Sequence, residues 1–481
     1  MHMVTVPPLI LSDCYGLPVT SRERQAVHWY NQGLQGLLGF RQDTPDCFQK
    51  ALAFDPTFAM AHCHLGVHYF LEESEDMVAR ARACFEQARA GIAGLTERER
   101  NVVETLDLWG NGRVREAIDR MQAALQARPC EAILLQRLYF IYFVQGASEK
   151  LRDLPASVLR HYVNDSYVLG MYSFGLEETH DFARAFETGQ QALACNAEDV
   201  WALHALTHAA YETGAFATGV RLLEEGLQHC DGVGAFRNHI LWHLALFLWE
   251  QGQYQRTLQL YHKEFADPAT LLPPNFVDAV SLLWRLNLTG LLTAAEWQAL
   301  TPSLERLRHV RTYLFNQVHI ALGLTGAQRL DWAMEYLASL RAHINPGRPS
   351  LLGDVGLPLV EGLIAYARGE YAQVVDGWLP IRGRILEVGG SHAQRELFTD
   401  ILLDAALRVG AYDVASDLLT AKRRHRPDRP LALFALEKMY ARQGHTGQAA
   451  AMGTAARSLW QKMGADQEAL ARFATGCAEA D

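Results

Sequence analysis

The sequence predicts an all-α fold in which antiparallel helix pairs stack into an α-α superhelix, a solenoid curling around a central concave pocket. Three observations predict it. Gly112, Gly146, His180 and Gly214 recur every 34 residues, each between two stretches of helical periodicity, where a tight turn needs a permissive backbone. Small residues stand at fixed offsets from these marks, as closely crossing helices require. Sustained two-residue alternation bounded by turn residues, the mark of a half-buried strand, is nearly absent.

Taken in order, the elements follow from these marks. Near the N-terminus "ALAFDP" (51–56) ends in proline like a closing repeat, and Pro129 holds the equivalent place further on. The turns then fall in "NGRVREA" at Gly112, "QGASEKL" at Gly146, "THDFARA" at His180 and "TGAFATG" at Gly214. "QGQYQRT" at Gly252 follows after 38 residues; "RGEYAQV" at Gly369, "VGAYDVA" at Gly410 and "QGHTGQA" at Gly444 come later. Ala117, Ala185, Gly219, Ala415 and Ala449 lie five positions after a mark, and Ala124, Ala192, Gly226 and Ala456 lie twelve after. This pattern resembles the tetratricopeptide repeat. Breaks at 265–276 and 345–354 read as longer loops between repeats. They divide the superhelix into N-terminal repeats over 1–265 and more degenerate repeats of the same superhelix over 266–481, without making independent domains.

Composition narrows the function. The chain has 481 residues, is 49% hydrophobic and 20% charged, and carries a net charge of −10, so it buries large cores and is not disordered. The acidic balance disfavours nucleic-acid and anionic-membrane partners, which need basic surface. The one basic run, "AKRRHRPDRP" (421–430), reads as a solvated helix end and loop. Eight cysteines without a CxxC pair suit reduced thiols in a cytoplasm. The first residues, "MHMVTVPPLILSD", lack a charged n-region and a long apolar stretch, and no apolar run reaches bilayer length. A soluble, cytoplasmic chain is expected.

The repeat register orients the histidines. In tetratricopeptide repeats the first helix of each pair lines the concave surface, mainly through its second, fifth, ninth, twelfth and thirteenth positions. With the turn glycine as position fifteen, "WALHALTHAAYETG" places Trp201 second, His204 fifth, His208 ninth and Glu212 thirteenth. In "NHILWHLALFLWEQGQY" His239 is second, Trp242 fifth and Glu250 thirteenth, with His243 beside that stripe. Residues four apart share a helix face, so two adjacent helices each offer a histidine pair to one groove. The plainer reading makes these histidines hydrogen-bonded groove lining.

Longer blocks resemble the tetratricopeptide repeat protein 38 family over most of the chain: "DCYGLPVTS", "DPTFAMAH", "YSFGLEET", the His204/His208 helix, His239-x-x-Trp242-His243, "LFNQVH", "DVGLPL", "LPIRGRI" and "GGSHAQRE". The resemblance carries no general reaction with it. It implies that Asn316, His319, Asp354, Gln394 and Arg395 belong to family motifs along with the four histidines. It also implies a glutamate at position 211, where this chain has Tyr211 and places Glu212 one residue later.

HExxH, GxSxG, P-loop, GxGxxG and zinc-deaminase signatures are all missing. "GGSHAQRE" reads as a tight loop and helix cap that leaves Gln394 and Arg395 in the first turn. A clamp for peptide carboxylates needs concave Lys or Arg, and the readable concave positions are His, Trp, Tyr and Glu. The leading function is therefore a solenoid binding a small molecule or short peptide in a pocket lined by Trp201, Trp242, Asn316, His319, Asp354 and Gln394. The alternative is an enzyme in which His204, His208, His239 and His243 supply acid and base and Arg395 counters negative charge. A divalent metal is the one cofactor the residues suggest, on the four histidines with Asp354. A protein-interaction scaffold using the outer face is the third reading. If the site is composite, the C-terminal repeats must curl back onto the histidine helices.

Overall fold

A computed structural model describes residues 11–467 except 73, 268–272, 293, 312 and 346, together with 470 and 471. Cys477, most of the N-terminal stretch 1–13 and the middle of the 265–276 break therefore lie outside the described residues. The chain is a tetratricopeptide-like α-α superhelix. Among the described residues the extended structure is two strands of two residues, Leu11–Ser12 and Pro18–Val19, paired antiparallel, and one isolated bridge between Arg41 and Val233. No helix there is long and apolar enough to cross a membrane.

Each predicted turn is a left-handed residue between two antiparallel helices. Gly112, Gly146, His180, Gly214, Gly252, Gly369, Gly410 and Gly444 all have φ between 63° and 77°. Of these, only His180 carries a Cβ into that region. Phe40, Gly290 and Gln328 do the same work at φ 58°, 71° and 56°. Two of these three have no glycine to betray them. The helices they join run in order as Arg24–Leu38 with Thr44–Phe54, Glu97–Gly110 with Val114–Ala127, and Ala132–Val144 with Ser148–Val158. Ser166–Glu178 with Phe182–Cys195, Val200–Glu212 with Phe216–Gly226, and Phe236–Glu250 with Tyr254–Glu264 form the middle. Later first helices are Pro273–Leu288, Leu314–Gly326, Leu357–Ala367, His392–Val409 and Pro430–Arg442, the last paired with Thr446–Lys462.

The small residues sit where helices cross. A Cβ on Gly219 would come 2.1 Å from the Phe247 ring, and one on Gly226 would come 2.3 Å from Leu203. Ala117, Ala185, Ala192, Ala415 and Ala456 are fully buried at the equivalent places.

Two large apolar cores result, one built from residues between Val19 and Ala205 and the other from residues between Val200 and Leu470, with a small third cluster of Leu176, Ala185 and Ala209. They meet along the helix Val200–Glu212. Its Trp201 and Ala205 belong to the first core, and its Leu203, Ala210 and Tyr211 to the second. The superhelix curls back on itself at this level. Gly146 packs so closely on Leu386 that an added Cβ would lie 2.0 Å from the Leu386 carbonyl oxygen. Arg285 donates to the Ala393 carbonyl (2.6 Å), and the Trp460 indole donates to the Glu250 carbonyl (3.0 Å).

Candidate functional site: a buried imidazole cluster

The histidine helices bring four imidazoles into mutual contact at the junction of the two cores. Ring centroids lie 4.4 Å apart for His204 and His208, 4.5 Å for His208 and His243, and 4.8 Å for His204 and His243. His239 stands 5.0 Å from His204 and 4.8 Å from His243. His204 is the hub: its Nε2 is 3.0 Å from the Nε2 of His208 and 3.2 Å from that of His239. His208 and His243 have no exposed surface. His204, His208 and His243 each offer one ring nitrogen within 4.8 Å of the others.

Aromatic walls enclose the cluster. Phe174 stacks on His204 at 5.4 Å and meets His208 edge-on, and Trp201 lies 4.9 Å from His204. Trp242 stacks on His239 at 5.2 Å, and the Arg285 guanidinium lies over the Trp242 ring, 5.6 Å from its centroid. Burial in this apolar shell, reinforced by the neighbouring imidazoles, holds His204 and His243 well below the usual histidine range. Burial likewise takes His208 down to about 3, against the pull of Glu178. These imidazoles are therefore neutral at physiological pH, each with one N–H and one lone pair. Neither ring nitrogen of His243 has a hydrogen-bond partner, nor do the Nδ1 atoms of His204 and His208.

Carboxylates stand behind two of the rings. Asp278 faces His239 Nδ1 with both oxygens, at 3.0 and 3.1 Å. Glu177 lies 3.7 Å from His208 Nδ1 and 3.4 Å from His392 Nδ1, without exposed surface and without a hydrogen bond to either oxygen. Burial raises its carboxyl to about 7, with His392 opposing and Glu178 adding to the rise. Glu178 accepts from the His392 backbone N–H (2.9 Å) and from Arg395 Nη2 (3.1 Å). Burial would raise Glu178, but Arg395 and His392 outweigh it and hold the carboxyl at about 2. Burial would likewise depress His392, and the two glutamates instead hold it at about 9.

The other residues named from the sequence are distributed around this centre. Trp201 and Trp242 are walls. Arg395 arrives through Glu178, and its charge is felt at His208. Gln394 completes a capping box with Ser391, accepting the Ser391 backbone N–H while the Ser391 hydroxyl accepts from Gln394. Its amide is thus occupied with the helix start. His319 is buried against Phe398, its Nδ1 2.8 Å from the Phe315 carbonyl, and burial takes it down to about 4. Asn316 is half-buried one turn earlier on the same helix. Asp354 does not join the imidazoles. It lies on the π-turn Leu352–Gly356, its side chain 41% exposed and 3.6 Å from Arg384. The carboxylates beside the histidines are Asp278 and Glu177, which the sequence reading passed over. Glu177 and His392 stand inside the quoted blocks "YSFGLEET" and "GGSHAQRE"; Asp278 follows a stretch whose repeat register was unreadable.

The basic run requires a correction. Arg424 is exposed as expected, but Arg426 and Arg429 are buried, Lys422 is half-buried, and all three are paired. Arg429 binds Glu250 and Glu396, Arg426 reaches Glu396 at 2.8 Å and Glu212 at 3.5 Å, and Lys422 reaches Glu396 at 2.9 Å and Asp400 at 2.5 Å. Tyr211 donates into the same network, to Glu250 (3.1 Å) or Glu396 (3.2 Å). The thirteenth-position glutamates thus turn out to be anchors for the C-terminal repeats.

No family model matches the chain. Among solved structures, an IFIT1 monomeric mutant with Gppp-AAAA aligns over 89% of this chain and 100% of that chain, at 14% sequence identity and a TM-score of 0.38. At that level the likeness says nothing of what this chain binds.

Proposed function

We propose that this chain binds a small ligand at the imidazole cluster, inside a superhelix closed by its own C-terminal repeats. We read it as a member of the tetratricopeptide repeat protein 38 family on the ordered motif blocks. The observation that carries the ligand reading is the set of orphaned ring nitrogens at zero exposure, above all both nitrogens of His243. Buried polar atoms that serve packing alone are nearly always satisfied, and each one left bare costs about 1–3 kcal/mol. Four such nitrogens on three adjoining rings, His204, His208 and His243, mark a centre kept for what it holds. A short peptide has less support, because Phe40 stacks on Phe236 at 4.7 Å across the mouth of the histidine helices and the C-terminal repeats cover the groove beyond. A scaffold role has less still: the exposed large apolar residues, such as Phe54, Val163, Met334 and Val409, are spread along the chain.

Acid–base chemistry on the ligand is the second reading. It is favoured by Glu177, poised near neutrality between His208 and His392. The test of ligand binding is native against denaturing mass spectrometry of the untagged chain. A discrete mass increment, lost in His208→Ala and in His243→Ala, supports the reading. No increment, together with a His243→Met variant more stable than the parent, would show that the imidazoles are merely tolerated in the core.

A further inference from the structure

We infer that the ligand of the imidazole cluster is a divalent first-row transition-metal ion, held by ring nitrogens of His204, His208 and His243 with His239 as the fourth donor. This rests on the reading above and names what the cluster holds. Four imidazole donors at metal–nitrogen distances of about 2.0–2.1 Å place neighbouring nitrogens roughly 3.3 Å apart in a tetrahedral site. The Nε2 separations around His204 are 3.0 and 3.2 Å, and one nitrogen each of His204, His208 and His243 falls within 4.8 Å of the others; His239 is outside that set of three and approaches it through His204 Nε2. Ligation takes one lone pair from each ring, which gives up any proton there to bind. It also gives a partner to one nitrogen of His243, neither of which has another.

The surroundings also supply carboxylates behind the rings. Metal-bound histidines turn their second nitrogen to a carboxylate or carbonyl, which fixes the tautomer and the ring plane. Asp278 does this for His239 at 3.0 Å, and Glu177 faces His208 Nδ1 at 3.7 Å. Both carboxylates are buried. They set negative charge beside the ion, against the nearby guanidinium groups of Arg285 and Arg395. Nitrogen donors without thiolate or bound carboxylate suit zinc, cobalt, nickel or copper, whereas magnesium and calcium prefer oxygen.

The experiment uses the full, untagged chain, stripped with a chelator and checked by circular dichroism. It is titrated with Zn(II) and Co(II), with metal content read after gel filtration. One ion per chain and the visible absorption of four-coordinate Co(II) are expected. His204→Ala, His208→Ala and His243→Ala should each abolish stoichiometric retention. Asp278→Asn and Glu177→Gln, which leave the ligands in place, should weaken binding roughly 10- to 100-fold. X-ray absorption at the cobalt edge should show a nitrogen shell without sulfur. A folded wild-type chain that retains neither ion overturns the proposal, as does retention that survives the His204→Ala/His243→Ala pair. If the stripped chain still shows an organic mass increment that His208→Ala removes, the metal is wrong while ligand binding stands. If neither ion nor increment is found, both fall.

Discussion

Replacing Arg429 with methionine should destabilise the closed superhelix by about 3–5 kcal/mol, the usual effect of stripping one partner from a buried ion pair. Arg429 is 1% exposed and binds Glu250 on the Phe236–Glu250 helix and Glu396 on the His392–Val409 helix. Without it, Glu396 keeps Arg426 at 2.8 Å and Lys422 at 2.9 Å. Glu250 is less fortunate. It is fully buried, one of its oxygens already lacks a partner, and only the Tyr211 hydroxyl among its side-chain partners would remain. One ion pair at about 3 Å and an effective dielectric near 20 is worth about 5 kcal/mol before desolvation, in line with the range above. Removing both charges, as Glu250→Gln with Arg429→Met, leaves the network's net charge unchanged and should recover most of the loss. The assay is urea denaturation followed by circular dichroism, with limited proteolysis across 423–429 to detect local release of the C-terminal repeats. A single variant within about 1 kcal/mol of wild type, or a double variant no better than the single, would refute the assignment of this network as the clasp.

Three further outcomes are expected. Gly146→Ala should cost more than Gly112→Ala, because both are left-handed but only at Gly146 does the new Cβ meet backbone, at Leu386; equal unfolding midpoints for the two would contradict this. Ser391→Ala should cost about 1 kcal/mol by breaking the capping box and should expose the Glu178–Arg395 contact to hydrogen exchange. Stability should peak near neutral pH. Burial holds His64 at about 3 and His319 at about 4, so the unfolded chain binds protons the native one refuses. Their contribution is complete above pH about 6.5 and falls as the pH drops, by at most about 1.4 kcal/mol per group per unit. His392, held at about 9, works the other way: its contribution is complete below about 6.5 and is lost as pH rises through 9. A melting midpoint that rises steadily from pH 7 to 5 would contradict the balance.

The local rules of the repeat were legible in the sequence because they act over a few residues. A left-handed turn selects glycine, and a close helix crossing selects alanine or glycine. The turns from Gly112 to Gly252 and from Gly369 to Gly444 follow from this, and so does the concave register of His204, His208, His239 and Trp242. Where the turn residue is Phe40 or Gln328, no such preference shows and the repeat goes unseen. The intervals from Gly252 to Gly290, Gln328, Gly369 and Gly410 are 38, 38, 41 and 41 residues, which also hides the period. What only the tertiary structure decided lies across long chain separations. Arg395 meets Glu178 over 217 residues, Tyr211 meets Glu396 over 185 and Arg429 meets Glu250 over 179. A charged run such as 421–430 carries no local sign of whether it faces water or a buried carboxylate. Its fate depends on the accumulated small rotations of the intervening repeats, which bring the last helices back against the histidine helices. Asp278 and Glu177 come to the imidazoles from the adjacent first helices, closure brings His392 and Arg395 to the glutamates, and Asp354 is left at the surface with Arg384.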